Sequence, residues 1–425
     1  MSNEPLKIEN IDFSVSSQID RAPHWTMIRE LTKNAIEAAE KAAKDKIIHW
    51  TTGDYRGTRK AVIWNTGPGL DAFQLKAATD LACQIDKTLS LDENFGVGAK
   101  VSALANNKEG MRYRSCKDGR VHEVIIGHDE ETGTYVRFER EIQGGAKDTV
   151  IDVTDVVMRE GIHSVDCDWT EVMLLGNSPD QDTASRPFAS VSTEKTHVAN
   201  ALYRRFYRLP AGVKLRLDAV YHRFDSTRYF APIEKRYDQF VHFETVELKD
   251  YELRIHYLHD PKVGDQSGLR QSSRGALAST TTTCCLIHKD EMYSVATGKP
   301  WSALAPRFGI PFGSKELCVH IELRDEDARP SQYRERLISP FTGEDIVPED
   351  FADFVRAFMP EWVKEVIQEA SPRQKEDFSD LESELQDLLN RYKVPLTGLK
   401  TDRSSGQPSE SPSGNFMMDY RAFGS

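Results

Sequence analysis

The chain has 425 residues, 39% of them hydrophobic, and a formal net charge of -12. That charge disfavours a broad nucleic-acid surface, which rests on Lys and Arg neutralising phosphates. A mean hydropathy of -0.54, with no run near the roughly 20 apolar residues of a membrane span, describes a soluble globular protein. The length exceeds one compact core, so two domains and a tail are expected.

Met1-Ser-Asn-Glu-Pro5 lacks the basic and apolar regions of a signal peptide. Six cysteines (Cys83, Cys116, Cys167, Cys284, Cys285, Cys318) show no CxxC spacing, which reads as reduced thiols in a cytoplasm. Residues 8–16 read as an extended lead-in. Pro23 suits a first helical turn, with Asp20 upstream as a cap, and Trp25, Ile28, Leu31, Ala35, Ala38 and Ala42 keep helical spacing to about Lys44. Strands are expected at 47–51 and 60–64 around the turn-rich segment 53–57. A mixed polar and helical stretch, 71–94, reads as a cover segment, followed by a helix over 97–106.

Further strands are expected at 111–115, 121–127, 135–141 and 171–175, and the polar stretch 178–196 marks a boundary. A helix at 198–207 and strands at 213–221, 252–258, 282–288 and 317–323 form a second unit. Phe351, Phe354, Phe358 and Trp362 place a helix over 349–370, kinked or divided at Pro360. Leu381, Leu385, Leu388 and Leu389 mark a last amphipathic helix, and the Ser/Pro/Gly-rich end beyond Lys400 reads as disordered. The basic clusters Arg204-Arg205 with Arg208, and Arg270 with Arg274, are short and separate, and read as solvated faces.

Three segments carry chemistry. Glu30 and Asn34 lie one helical turn apart, with Glu37 on nearly the same stripe. Ala61-Val-Ile-Trp64 runs into Asn65-Thr-Gly67-Pro-Gly69, a buried-strand pattern ending in a turn that brings backbone close to a ligand. Phe95-Gly96-Val97-Gly98-Ala-Lys100 is a glycine turn opening a helix, whose first N–H groups can hold phosphate.

In this order the three segments resemble the ATP site of the GHKL superfamily (gyrase, the ninety-kilodalton heat-shock chaperone, histidine kinases and MutL), with MORC-like and MutL-like proteins nearest in layout. The resemblance implies an α+β chain: a Bergerat-type ATP-binding α/β sandwich at 1–190, a smaller α/β transducer-like domain at 197–345, a helical segment at 346–393 and a disordered tail at 394–425. It makes Glu30 the general base toward the water that attacks the γ-phosphate, and Asn34 the protein ligand of Mg²⁺. Asn65, Gly67 and Gly69 would hold the base, and Gly96, Val97, Gly98 and Lys100 the phosphates.

Most relatives carry Asp at the place of Asn65. An amide there can accept from the adenine amino group or pair with guanine, so the base stays open. A late-strand threonine also supports the base in the family. Thr170 takes that place, with Trp169 standing where a glycine is usual, and Gly133-Thr134 is the alternative. Arg329-Pro-Ser-Gln-Tyr-Arg334 is similar to the second-domain loop that sends a lysine onto the γ-phosphate, with Arg334 at the lysine position.

The implied activity is Mg-dependent ATP hydrolysis gating a nucleotide-dependent homodimer, with a protein partner and no membrane; DNA transactions are open to it by the resemblance but not supported by the net charge. The alternative is a chaperone-like or non-hydrolysing, nucleotide-stabilised interaction module.

Overall fold

Two β-sheets, each with its own apolar core, organise this computed structural model. It describes residues 11–23, 26–80, 98–142, 145–188, 193–261, 277–278, 281–331 and 334–372. Gly96, Val97, Trp25, Arg270, Arg274, the segment 381–389 where a helix is expected, and residues 394–425 lie outside the described residues. The fold is mixed α+β, and residues 1–371 cluster as one unit. No helix of the described residues is long and apolar enough to cross a membrane.

The first part of the chain runs α1 (Ile11–Asp20), α2 (Thr26–Glu40), β1 (Lys46–Tyr55), β2 (Thr58–Thr66), α3 (Ala72–Ala78) and α4 (Gly98–Leu104). It continues through β3 (Gly110–Lys117), β4 (Arg120–Asp129), β5 (Thr134–Arg137), β6 (Arg140–Glu141), β7 (Lys147–Asp148) and β8 (Val150–Asp152). Then come α5 (Thr154–Glu160), β9 (Trp169–Gly176), α6 (His197–Tyr203), β10 (Val213–Leu217) and β11 (Arg228–Tyr229). The large sheet has the order β11-β10-β1-β2-β9-β3-β4-β5, with β8 also on β4. It is mixed, since β10 joins β1 in parallel while its other pairs are antiparallel.

Helices cover one face of this sheet because α2 presents a broad apolar stripe. Met27, Ile28, Leu31, Ala35, Ile36 and Ala39 are buried against inward residues of the strands, among them Ile48, Trp50, Ala61 and Ile63. Trp50 Nε1 donates to Thr32 Oγ1 at 3.0 Å, and that hydroxyl donates to the Ile28 carbonyl, so helix and strand are tied in register. The other face carries charge: Arg112 pairs with Glu171 at 2.9 Å, and Arg114 pairs with Glu123 and Glu160. Trp64 stacks on His163 beside them, with ring centroids 5.4 Å apart.

The second sheet has the order β12 (His242–Leu248), β13 (Leu253–His259), β16 (Leu317–Glu322), β14 (Thr283–His288), β15 (Glu291–Thr297). Trp301, Phe308, Val355 and Val363 pack on its apolar face, and Trp301 Nε1 donates to the Leu317 carbonyl at 2.9 Å.

Several expectations change. Residues 11–20 form helix α1 rather than an extended lead-in. Ile19, near the end of that helix, is fully buried and anchors it to the core. The strand expected over 213–221 ends at Leu217, where Asp218 turns the chain by accepting from His49 Nε2 at 2.7 Å and Thr227 Oγ1 at 2.8 Å. Over 349–370, a short 3₁₀ turn leads into helix Ala352–Ala357, and Pro360 separates it from helix Glu361–Ala370.

Candidate functional site

The strand period places Asn65, Thr170 and Ser115 on the helix-covered face, with Trp64 and Glu171 on the other. Asn65 stands opposite Thr170 across β2 and β9, and Thr170 opposite Ser115 across β9 and β3, so the three make one row across the sheet. Thr134 lies on β5, at the far edge of the same sheet.

The row is polar and half satisfied. Asn65 Nδ2 donates to the Thr170 carbonyl at 3.2 Å, while Asn65 Oδ1 is buried without a hydrogen-bond partner among the described residues. A buried acceptor left in that state is costly and is normally paired. Thr170 Oγ1 and Ser115 Oγ lie 2.8 Å apart, and Ser115 Oγ takes the backbone N–H of Leu70 at 2.8 Å. Ser115 thereby pins the turn that leaves β2. Its part was not legible in the sequence, because a serine in a strand carries no motif.

Glycine is required in that turn. Gly69 has φ +60°, and a Cβ there would sit 1.9 Å from the Cys116 carbonyl oxygen. At Gly67 a Cβ would stand 3.1 Å from Asn65 Oδ1 and 3.2 Å from the Ala38 Cβ. The turn therefore lies directly against α2, and Ala38 is one turn beyond Asn34 and two beyond Glu30. After the turn, Asp71 and Gln74 close a capping box on α3. Lys100 Nζ donates to the Ala78 carbonyl at 2.8 Å and to that of Asp80, closing the other end of α3. Gly98 opens α4.

Glu30 and Asn34 differ sharply in environment. Asn34 is exposed, and its side chain makes no hydrogen bond with a described residue. Glu30 is 4% exposed and accepts from Arg29 Nη1. Arg29 is itself buried and donates through Nε to Glu291 Oε2 at 2.9 Å, and through Nη2 to Glu291 Oε1. Glu291, at the start of β15, also receives Arg205 Nε at 2.7 Å, and Lys33 Nζ lies 3.9 Å away. Burial alone would raise the Glu291 carboxyl, yet Arg205 and Arg29 hold it well below the usual carboxylate range.

Arg205 and Arg208 read as solvated in the sequence, but both join the two sheets. Arg205 lies over the Tyr293 ring at 4.0 Å, and Arg208 forks onto Glu322 at 2.6 and 2.9 Å. Arg334 has φ +54°, a strained conformation for a non-glycine residue. Its charge acts on Tyr293, as do those of Arg205, Glu291 and Arg29.

Among the described residues no group of three or more His, Cys, Asp or Glu side chains converges on a metal position. A polar groove of about 510 Å³ opens between Glu247, Glu252, Arg254, Glu322 and Arg324 on the second sheet and shares no residue with the Asn65 row. Neither a scan of protein-family models nor a search of curated proteins gives a match for this chain.

Proposed function

We propose that this chain hydrolyses ATP on a Bergerat-type sandwich and acts as a nucleotide-gated dimerisation switch. The observation that carries the reading is Asn65 Oδ1, which has no partner among the described residues and is buried in the Asn65–Thr170–Ser115 row beside Gly67, whose turn lies against the helix bearing Asn34 and Glu30. A purine edge offering an N–H would satisfy that oxygen, and Gly67 leaves backbone rather than side chain along the base.

The roles follow from position and chemistry. Asn65, Gly67, Gly69 and Thr170 hold the base. Asn34, exposed and without a hydrogen bond to a described residue, fits a single amide ligand for Mg²⁺, which when bound would offset charge developing on the phosphate oxygens. The backbone at Gly96, Val97 and Gly98 takes phosphate, and Lys100 would exchange its α3 carbonyls for it. Glu30 takes the proton of the attacking water as the bond from the γ-phosphorus to its bridging oxygen breaks, giving ADP and inorganic phosphate. Arg334 reads the γ-phosphate from the second sheet. The output is a protein partner, since a net charge of -12 does not favour DNA.

The test is ATP turnover of wild type and Glu30→Ala, alongside particle mass with a non-hydrolysable ATP analogue. Turnover lost in Glu30→Ala and a doubled mass with analogue are expected. No turnover and no dimer in the wild type would sink the switch. The buried Arg29–Glu30 pair favours one second reading, a non-hydrolysing nucleotide-stabilised module, which dimer formation without turnover would reveal.

A further inference from the structure

One guanidinium, that of Arg29, is shared between a carboxylate on helix α2 and one on the second sheet. Its Nε and Nη2 edge is occupied by Glu291 on β15, and Nη1 is left for Glu30 on α2. A guanidinium is planar, with its donors in a fixed fork, so holding one edge fixes the direction of the other. Glu291 is itself held by Arg205, and the backbone bridges there too: Met292 N donates to the Arg205 carbonyl at 2.7 Å and Tyr207 N to the Asp290 carbonyl at 2.9 Å. The carboxylate that orients Arg29 therefore sits on a rigid element. Glu30 accepts from Arg29 through Oε1 alone, and its Oε2 accepts no hydrogen bond from a described residue.

We propose that Glu291 is a positioning residue for the general base: by occupying the Nε/Nη2 edge of Arg29 it limits Glu30 to a single hydrogen bond and leaves Glu30 Oε2 for the attacking water. This rests on Glu30 being that base. Without the Glu291 carboxylate, Arg29 is free to turn its fork onto both Glu30 oxygens and close them to water. The second sheet would then set how competent the base is, through one side chain that never meets the nucleotide.

The experiment is steady-state ATP turnover by the full chain carrying Glu291→Gln, which keeps the volume and removes the charge. Alongside run Glu30→Ala, Arg29→Lys and the double variant Arg29→Lys/Glu291→Gln. The expected result is a kcat at least tenfold lower in Glu291→Gln with KM within about twofold, and analogue-driven dimerisation retained. Arg29→Lys, which keeps the charge and loses the fork, should show the same split. The double variant should be no slower than the slower single, as befits residues acting through one contact.

A kcat unchanged in Glu291→Gln while Glu30→Ala is inactive would overturn this proposal and leave the ATPase reading standing. Equal losses in kcat, dimerisation and thermal stability would show a purely structural role and overturn it too. Should Glu291→Gln fail to fold, Arg29→Lys decides by the same criteria. Absence of turnover in the wild type overturns both readings, and is seen before any variant is compared.

Discussion

Asn65 and Thr170 face each other in register across β2 and β9, and the Asn65 amide nitrogen donates to the Thr170 carbonyl. That one hydrogen bond fixes which end of the amide looks into the site. With one Nδ2 hydrogen engaged on the Thr170 carbonyl, the Oδ1 acceptor is the amide atom offered without a partner among the described residues.

Adenine should therefore be preferred over guanine. Adenine presents its amino donor directly to Oδ1, whereas guanine carries the O6 acceptor at that position and must shift to bring its N1–H onto the oxygen. ATP is expected to bind at least about tenfold tighter than GTP, given the penalty for an unpaired buried polar group. Asn65→Asp should keep the preference, since a carboxylate also accepts. Competition titrations of the two nucleotides measure it, and equal affinities would remove Asn65 from base selection.

Gly69→Ala should destabilise the fold by about 2 kcal/mol or more, because a positive φ combines with a Cβ driven into the Cys116 carbonyl. Gly57 is the control. It has φ +81° with nothing near its missing Cβ, so Gly57→Ala should cost only about 1 kcal/mol. Urea denaturation of the two variants gives the comparison, and equal losses would refute the close-approach argument.

Thr32→Val removes the acceptor of Trp50 Nε1 at near-constant volume. Leaving that indole N–H buried and unpaired should cost roughly 1–3 kcal/mol. Denaturation midpoints report it, and a neutral outcome would mean the α2–β1 tie is only a packing contact.

Acid should weaken the fold in two stages. Burial pushes His320 down to about 3, with His256 adding to the shift, and burial pushes His197 down to about 4. Unfolded histidine titrates near 6.5, so the unfolded chain binds these protons first as pH falls. Stability is full above that value and drops through the window toward 3–4, by up to about 1.4 kcal/mol per pH unit for each histidine. A second loss follows below roughly pH 4, because Asp218 is lowered to about 2 against its burial by His49, Thr51 and Thr227. Its stabilisation exists above the unfolded carboxylate value and disappears as pH falls through the folded one. His320→Asn should flatten the first stage alone. A flat profile between pH 7 and 5 in the wild type would refute that assignment.

The large sheet was mostly legible because its strands are apolar runs with alternation and its turns carry Gly or Asp. Strands β12 and β15 escaped notice, since HFETVEL and EMYSVAT scatter charge through a half-buried edge. In the site, Asn65 and Gly69 were legible through turn chemistry, and Glu30 and Asn34 through helical spacing. Arg29, Glu291 and Arg205 were not. Their meaning lies in a contact between residues 262 positions apart, which no local pattern encodes. Only folding tells a solvated arginine from a buried one.

The joint at Glu291 and Arg208 is made of ions rather than oil. Desolvation consumes much of what such pairs gain, yet stranding one partner is expensive. The contact therefore contributes little adhesion and a great deal of aim. Filled instead with leucine and methionine, the same seam would grip harder and point nowhere in particular.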